Sequence, residues 1–464
     1  MSIRSFFSAK DMTVGSPAKR ILEFSIPMLI GNLAQQLYNT ADSIIVGKFV
    51  GDNALAAVGS ASPILNLLLA LFVGVSTGAG IIISQSYGAK DRARLSESIG
   101  NCIALSAVAS LIIMIVGPLL TMPMLELLGT PESIINWCAS YLKIYFYGIV
   151  GFFFYNMLSG VLRGLGDSVS ALAFLMVSAA LNVGLDILFV AVFDMGVAGV
   201  SLATVIAQGL SAVLCFIKLK KMSEHFDLSL KTVKLTPMMS KRIIQLGVPS
   251  GITQAIMATA GMVVLNLTNA MGELVIASNV IIMRVDGFAM MPNMSFGQAM
   301  SVYTGQNVGA RKIDRVHKGT KQGLLIAAGT ATAITAILLL LGKYLMMMFT
   351  DTPELIDLSV RMIRIMAVGY ICISVTQVLG GVMRGSGDTV TPMWISFFAT
   401  IIVRIPLAYT IAYFTRTAEN PHGSPIALFG SLMTSWVIGM VISVIVFLIG
   451  RWKRKLPVFD SKSN

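Results

Sequence analysis

Leu158-Ser-Gly-Val-Leu-Arg-Gly-Leu-Gly-Asp-Ser-Val169 recurs 221 residues further on as Leu379-Gly-Gly-Val-Met-Arg-Gly-Ser-Gly-Asp-Thr-Val390, with eight of twelve positions identical. The same offset sets Gln85, Gly88, Ala89 and Arg94 against Gln306, Gly309, Ala310 and Arg315. A one-residue slip pairs Thr130-Pro-Glu with Thr352-Pro-Glu, and Pro27 with Pro249. A repeat of this period in a chain of 464 residues divides it into two related halves, and each half should hold the same number of elements.

Composition says what those elements are. The chain is 55% hydrophobic and carries 42 glycines, while charged residues are only 12%, about half the share in a soluble domain. Mean hydropathy is +0.80. These values exclude a soluble globular protein and a disordered one. The apolar runs are long and continuous, which excludes an outer-membrane barrel with its alternating strands, so the spans are helices. Twelve runs of spanning length lie near 22–47, 54–85, 98–121, 136–160, 169–193 and 196–218, then 243–269, 275–304, 321–349, 358–382, 391–415 and 425–450. The expected fold is an all-α integral membrane protein of twelve helices in two six-helix repeats. Its parts would be an N-terminal segment 1–20, an N-lobe 21–218, a linker 219–242, a C-lobe 243–450 and a basic tail 451–464. Six spans per half is an even number, so both repeats enter the membrane in the same direction and relate by a pseudo-two-fold along the membrane normal. Two such bundles would enclose a cleft and give alternating access by rocking, a pattern of transporters more than of enzymes or channels.

The net charge of +12 would suggest a nucleic-acid partner in a soluble protein. Here the lysines and arginines gather in alternate connections. With the N-terminus cytoplasmic, 26 of the 34 fall on the cytoplasmic side, including Lys90, Arg92 and Arg94, the run from Lys218 to Arg242, the run from Arg311 to Lys321, and the C-terminal tail. The opposite turns carry Glu126, Glu132, Asp351 and Glu354. The expectation is a multi-pass protein of the cytoplasmic membrane with both termini cytoplasmic, a lipid bilayer as its partner and no nucleic acid. The N-terminus lacks a short apolar stretch with a cleavage site, so no cleaved signal peptide is expected. The four cysteines are scattered, and the three histidines sit in polar loops, so neither a disulfide framework nor a His/Cys metal site is expected. No catalytic nucleophile, phosphate loop or cofactor loop is visible. The chain reads as neither an enzyme nor an ATP-driven pump, and as needing no cofactor.

Ionisable groups inside a bilayer are costly and usually functional. The mid-span acids are Asp42, Asp186 and Asp286. Tyr38 precedes Asp42 by four residues, so both share a helix face, and Asn182 precedes Asp186 in the same way. Thr204, early in the sixth span, falls near the same depth. Hard oxygen ligands suit Na⁺, and paired carboxylates suit H⁺; the competing reading is two protonated acids that bond only to neighbouring polar groups. Pro27, one turn after Glu23, is a hinge, a fixed kink or a helix start. Asp286 and Arg404 either pair as structural charges or contact substrate or cation. The chain's 29 Met and 23 Phe suit amphipathic cations through sulfur contacts and cation–π attraction. Phe153, Phe154, Tyr155 and Met157 in the fourth span, and Met283, Phe288, Met290 and Met291 in the eighth, are candidates for such contacts or for plain packing.

Arg-Gly-x-Gly-Asp after the fourth and tenth spans, Gly305-Gln-Asn-x-Gly-Ala310 and Arg284-Val-Asp-Gly-Phe together resemble the multidrug and toxic compound extrusion (MATE) family. The resemblance runs from Ile21 to about Arg451. It implies a secondary antiporter, working as a monomer, that exports small amphipathic and often cationic compounds in exchange for Na⁺ or H⁺. An exporter of a lipid-linked or narrow-specificity substrate is the alternative. By resemblance to the DinF-like branch, Asp42, Asn182, Asp186 and Thr204 would bind the coupling cation with Tyr38 beside Asp42, and Pro27 would be a hinge. The NorM-like branch has a glutamate in the seventh span; this sequence has none there, which favours the N-lobe site. Arg163, Asp167, Arg384 and Asp388 would be structural.

Overall fold

The computed structural model describes residues 9–229, 231–418 and 420–455. Among the described residues the regular structure is helical throughout. Ten helices are long and apolar enough to cross a membrane, the first of these at Ala56–Gly88 and the last at Ile426–Ile449. Glu132–Tyr147 and Ile149–Gly164 meet at a bend of 55° and together make one more crossing. The remaining span is Pro17–Phe49, a 33-residue helix whose middle carries Asn32, Gln35, Gln36, Asn39 and Asp42. That polar middle is why its hydropathy is the weakest. Twelve spans in two repeats of six result, as expected.

The helices overrun the hydropathy boundaries. The third span is Arg92–Leu127 and the tenth Pro353–Ser386, against apolar runs of 98–121 and 358–382. A helix of 36 residues is about 54 Å long, well beyond a hydrocarbon core of roughly 30 Å. Hydropathy sees the part in hydrocarbon, whereas the backbone ladder continues into the polar layers. Three spans are irregular. The fourth bends at Gly148, where a Cβ would collide with Val205. The fifth runs from Ser168–Asp186 into a π-helix at Ile187–Val192, and the eleventh has a π-helix at Phe398–Arg404 between Val390–Phe397 and Ile405–Phe414. Pro406 accounts for the second of these, because it cannot donate to the turn before it and its ring pushes that turn open. Such π-segments often mark functional positions.

Two compact units form, and they are not contiguous in sequence. The first is Ile26–Gly251 with residues up to Asp11; the second is Ile252 onward with Met12–Ser25. The expected lobes, 21–218 and 243–450, therefore differ from these units at two short stretches. Each stretch is the entry to a helix with an internal proline, Pro27 in Pro17–Phe49 and Pro249 in Pro237–Ala270. Pro27 lies ten residues inside its helix, so it is not a helix start.

Packing explains both exchanges. In the first unit Gly74 and Gly78 of the second span meet Gly247 and Gly251 of the seventh. A Cβ on Gly78 would lie 2.5 Å from the Ile243 carbonyl, and one on Gly247 2.5 Å from Val75 Cα. Small residues four apart on two helices let the backbones approach where lipid offers no hydrophobic drive. Residues 223–227 and 234–236 of the connection fold against the same unit. Arg92 donates to the Ser223 and Glu224 carbonyls and pairs with Asp227 at 2.8 Å, and Asn101 donates to the Thr236 carbonyl. In the second unit Gln306 and Asn307 grip Met12: Gln306 Oε1 accepts from its N–H at 2.8 Å and Asn307 Nδ2 donates to its carbonyl at 3.2 Å. Arg315 donates to the carbonyls of Met12 and Gly15, Lys312 to that of Thr13, and the Ala18 N–H reaches Gln322 Oε1. The Gly305-Gln-Asn-x-Gly-Ala310 motif thus holds the segment that leads into the first span.

The duplicated Arg-Gly-x-Gly-Asp is a turn that starts a helix. Gly166 and Gly387 adopt φ of 89° and 99°, open to glycine at no steric cost. Asp167 caps the fifth span by accepting from the Ser170 N–H and hydroxyl, and it pairs with Lys218 at 3.3 Å; Asp388 accepts from the Thr391 N–H. Arg163 turns back to donate to Ser159 Oγ rather than to the aspartate. Outside these contacts the spans present Leu111, Ile112, Ile115 and Leu119, all more than half exposed, as a lipid-facing surface does.

Two outcomes test this packing. Gly78→Leu should cost about 1–3 kcal/mol and lower the melting temperature in detergent, while Gly329→Leu, with open space around its Cβ, should leave it near wild type. Asp167→Ala should cost about 1 kcal/mol as a lost N-cap, read from the same melting curves.

Candidate functional site

Three helices of the first unit bring the expected polar set together. The spacing of four puts Tyr38 and Asp42 on one face of the first span and Asn182 and Asp186 on one face of the fifth. Asp186 is the last α-helical residue before the π-helix, so the helix loosens directly after it. Asn182 and Asp186 are fully buried and Thr204 is 7% exposed. The Asn182 amide bonds best with its nitrogen donating to Asp186 Oδ2 at 2.9 Å and its oxygen accepting from the Thr204 N–H at 3.1 Å. The Thr204 hydroxyl donates to the Val200 carbonyl at 3.0 Å and lies beside Tyr38. The Asp42 and Asp186 carboxyls are neighbours. Oδ1 of each is buried and, apart from the facing carboxyl, meets no donor among the described residues. A buried orphan oxygen is expensive, and two of them between neighbouring carboxyls describe a place for a proton or a cation. A third His, Cys, Asp or Glu does not join them among the described residues, so the donor set is small and made only of oxygen.

The substrate candidates divide by position. Phe153 stacks on Phe72 with ring centroids 3.4 Å apart, and Phe153 and Met157 are fully buried in the first unit's core. Phe154 and Tyr155 are half-buried against that core. These four pack the bundle. In the eighth span Met283 and Phe288 are exposed, and Met290 and Met291 are half-buried.

The second unit contains a cavity of about 490 Å³, and Met283, Asp286, Met290 and Arg404 line it. Asp286 and Arg404 come from the eighth span and from the end of the eleventh span's π-helix. They lie 118 residues apart in sequence and line one cavity. No ion pair within 4 Å joins them among the described residues. Tyr370 lies beside Asp286, and Trp436 closes another part of the lining. Sequence reading overlooked Tyr370 and Trp436, because a lone aromatic in an apolar span looks like any core residue. Their helical neighbours gave no signal.

The MatE family profile matches residues 27–188 and 249–410, the two halves of the repeat. A Bacillus subtilis protein named "Probable multidrug resistance protein YpnP" is 28% identical over 460 residues, covering 98% of this chain and all of the relative. A second from that organism, "Probable multidrug resistance protein YoeA", is 28% identical over 401 residues, covering 85% and 86%. A solved structure described as MATE in the bent conformation superposes with a TM-score of 0.86 at 24% identity, covering 95% of this chain and 96% of the other. An outward-facing multidrug resistance MATE transporter gives 0.83 at 23%, covering 96% and 98%. With the profile covering both repeats, the chain belongs to the MatE family of transporters.

Proposed function

We propose that this chain is a secondary antiporter that exports small amphipathic, often cationic compounds in exchange for an inward-moving cation. It would work as a monomer in the cytoplasmic membrane, with both termini on the cytoplasmic side. The observation that carries the reading is the pair Asp42 and Asp186, buried carboxyls that face each other between three helices, with no donor among the described residues at Oδ1 of either. The likeness to proteins named for multidrug resistance supports the exported class.

The chemistry follows from charge in a medium of low dielectric. Two unit charges 4 Å apart repel by about 4 kcal/mol at an effective dielectric of 20. Two carboxylates this close therefore need a positive charge between them. Asn182 holds Asp186 by donating to Oδ2, and its own oxygen is occupied by the Thr204 N–H. This leaves the two Oδ1 atoms, with the Tyr38 and Thr204 hydroxyls beside them. A proton shared by the carboxyls is satisfied by that set, whereas Na⁺ would have to recruit further oxygens. The geometry thus favours H⁺ as the coupling ion.

Asp42 stands on the helix whose first residues belong to the other unit, with Pro27 at the change. Binding a cation at Asp42 removes the repulsion between the carboxylates of the first and fifth spans. The helix is already short of one hydrogen bond at Pro27, so that is where it would give. Cation binding would then reshape the first span and displace substrate. Each charge that crosses 100 mV supplies about 2.3 kcal/mol, enough for an uphill concentration ratio of roughly fifty.

Efflux of a fluorescent organic cation from proteoliposomes under an imposed pH gradient, then an imposed Na⁺ gradient, tests this directly. Export should follow the pH gradient and fall more than tenfold in Asp42→Asn and in Asp186→Asn; export that survives both would make the acids structural. Thr204→Val should slow pH-driven export by a smaller factor, because it removes one flanking hydroxyl and keeps both carboxyls.

A further inference from the structure

The cavity of the second unit carries a charge pattern that the coupling chemistry does not use. Asp286 on one wall and Arg404 on another both face it, and they do not bond to each other. Asp286 and the Tyr370 hydroxyl are buried and engage each other, while Nε of Arg404 is buried with no hydrogen-bond partner among the described residues. The uncharged polar lining includes Asn279, Ser396 and Thr400 and three hydroxyls that are already engaged. The hydroxyls of Thr268, Thr376 and Ser435 donate back to carbonyls of their own helices. Most of the remaining surface is methionine, leucine, isoleucine and aromatic.

A structural ion pair would close up, since each partner otherwise stays short of a bond in a place with little water. Here the partners are held apart by different elements. Arg404 is fixed by the π-segment that ends on it, ahead of Pro406, and Asp286 by the long helix Glu273–Gly309. A ligand with a single positive charge would meet Asp286 but share the cavity with the Arg404 guanidinium. A single negative charge would meet the reverse. A ligand that carries both charges, separated by several bonds across an apolar body, satisfies both walls at once. The methionines suit that body because they adapt to its shape.

We propose that this cavity binds zwitterionic amphiphiles, with the ligand's ammonium against Asp286 and its carboxylate or other anionic group against Arg404. The inference extends the export reading by naming a substrate class for the second unit, and binding itself does not depend on that reading. It also gives Tyr370 a role as a positioning residue for the Asp286 carboxyl.

Trp436 lines the cavity, so it can report occupancy. The protein has four tryptophans, and replacing the other three, Trp137→Phe, Trp394→Phe and Trp452→Phe, leaves a single reporter. The purified chain in nanodiscs is titrated with three forms of one compound: the dipeptide Phe-Phe as the zwitterion, its C-terminal amide as the cation, and its N-acetyl derivative as the anion. The expected result is saturable binding of the zwitterion at least tenfold tighter than either singly charged form. Asp286→Asn should bring the zwitterion down to the level of the N-acetyl form, and Arg404→Gln to the level of the amide, with melting curves confirming folded variants. A cation that binds as well as the zwitterion would overturn the proposal, as would the absence of saturable binding in the unmutated background. The charge series on that background decides the matter even if a variant fails to fold. Gradient-driven efflux of the dipeptide from proteoliposomes separates the two readings. Binding with the predicted charge preference but no export would sustain the site and sink the antiporter reading. Export of organic cations without that preference would do the reverse.

Discussion

A polar group inside a bilayer has to find its partner within the protein, because hydrocarbon offers none. That constraint turns nearly every element here into a helix and governs the side chains as well. Hydroxyls in the spans mostly bond back to a carbonyl one turn earlier, as Thr77 does to Val73, Ser106 to Cys102 and Thr121 to Gly117. Against this background the exceptions stand out. Among the described residues, buried atoms without partners occur at uncharged groups such as Asn293 and Gln208 and at the capping Asp388, and also at the mid-span charges Asp42, Asp186, Asp286 and Arg404. An unsatisfied buried group costs about 1–3 kcal/mol, and several together would be lost from a chain whose only task was to pack. What sets the mid-span charges apart is that they are ionisable as well as buried, and ionisable groups are the costliest to leave in a bilayer.

The two units share a scaffold and differ in chemistry. At the repeat offset Asp42 and Asp186 fall on Val263 and Leu407, while Asp286 and Arg404 fall on Leu65 and Val183. The glycine turns and their capping aspartates are duplicated, since both halves need the same stop and restart between helices. The charged sites are not duplicated. One unit has two acids facing each other, which suits a small cation. The other has an acid and a base kept apart, which suits a larger molecule. Each fifth-position span, the fifth and the eleventh, carries a π-segment next to its ionisable residue. The helix geometry at the site is thus a common device put to different use.

The entry segments link packing to mechanism. The chain passes from one unit to the other inside the first and seventh helices, beside Pro27 and Pro249. In each case the residues just before the proline are held firmly. Gln306, Asn307 and Arg315 grip the stretch before the first span, and the glycine contacts of Gly74 and Gly78 hold the start of the seventh. A helix anchored on one side of a proline and bearing an ionisable residue on the other can pass a local change in charge along its length. Neither anchor involves Asp42 or Asp186.

Much of the fold was legible in the chain alone. Hydropathy and the 221-residue repeat determine twelve spans in two halves, because a spanning helix needs about 20 apolar residues and the duplicated glycine turn restarts a helix at the same place in each half. The polar first span and the spacing of four between Tyr38 and Asp42, and between Asn182 and Asp186, determine the first site, because helical periodicity aligns such pairs. Tertiary structure decided the rest. It grouped residues 12–25 with the second half, placed Phe153 and Met157 in a core, bent the fourth span at Gly148, and set Asp286 and Arg404 around one cavity without letting them touch. Periodicity speaks for neighbours within a helix. Which faces of distant helices meet depends on where small residues let backbones approach and where a proline opens a turn, and those are properties of the packed bundle.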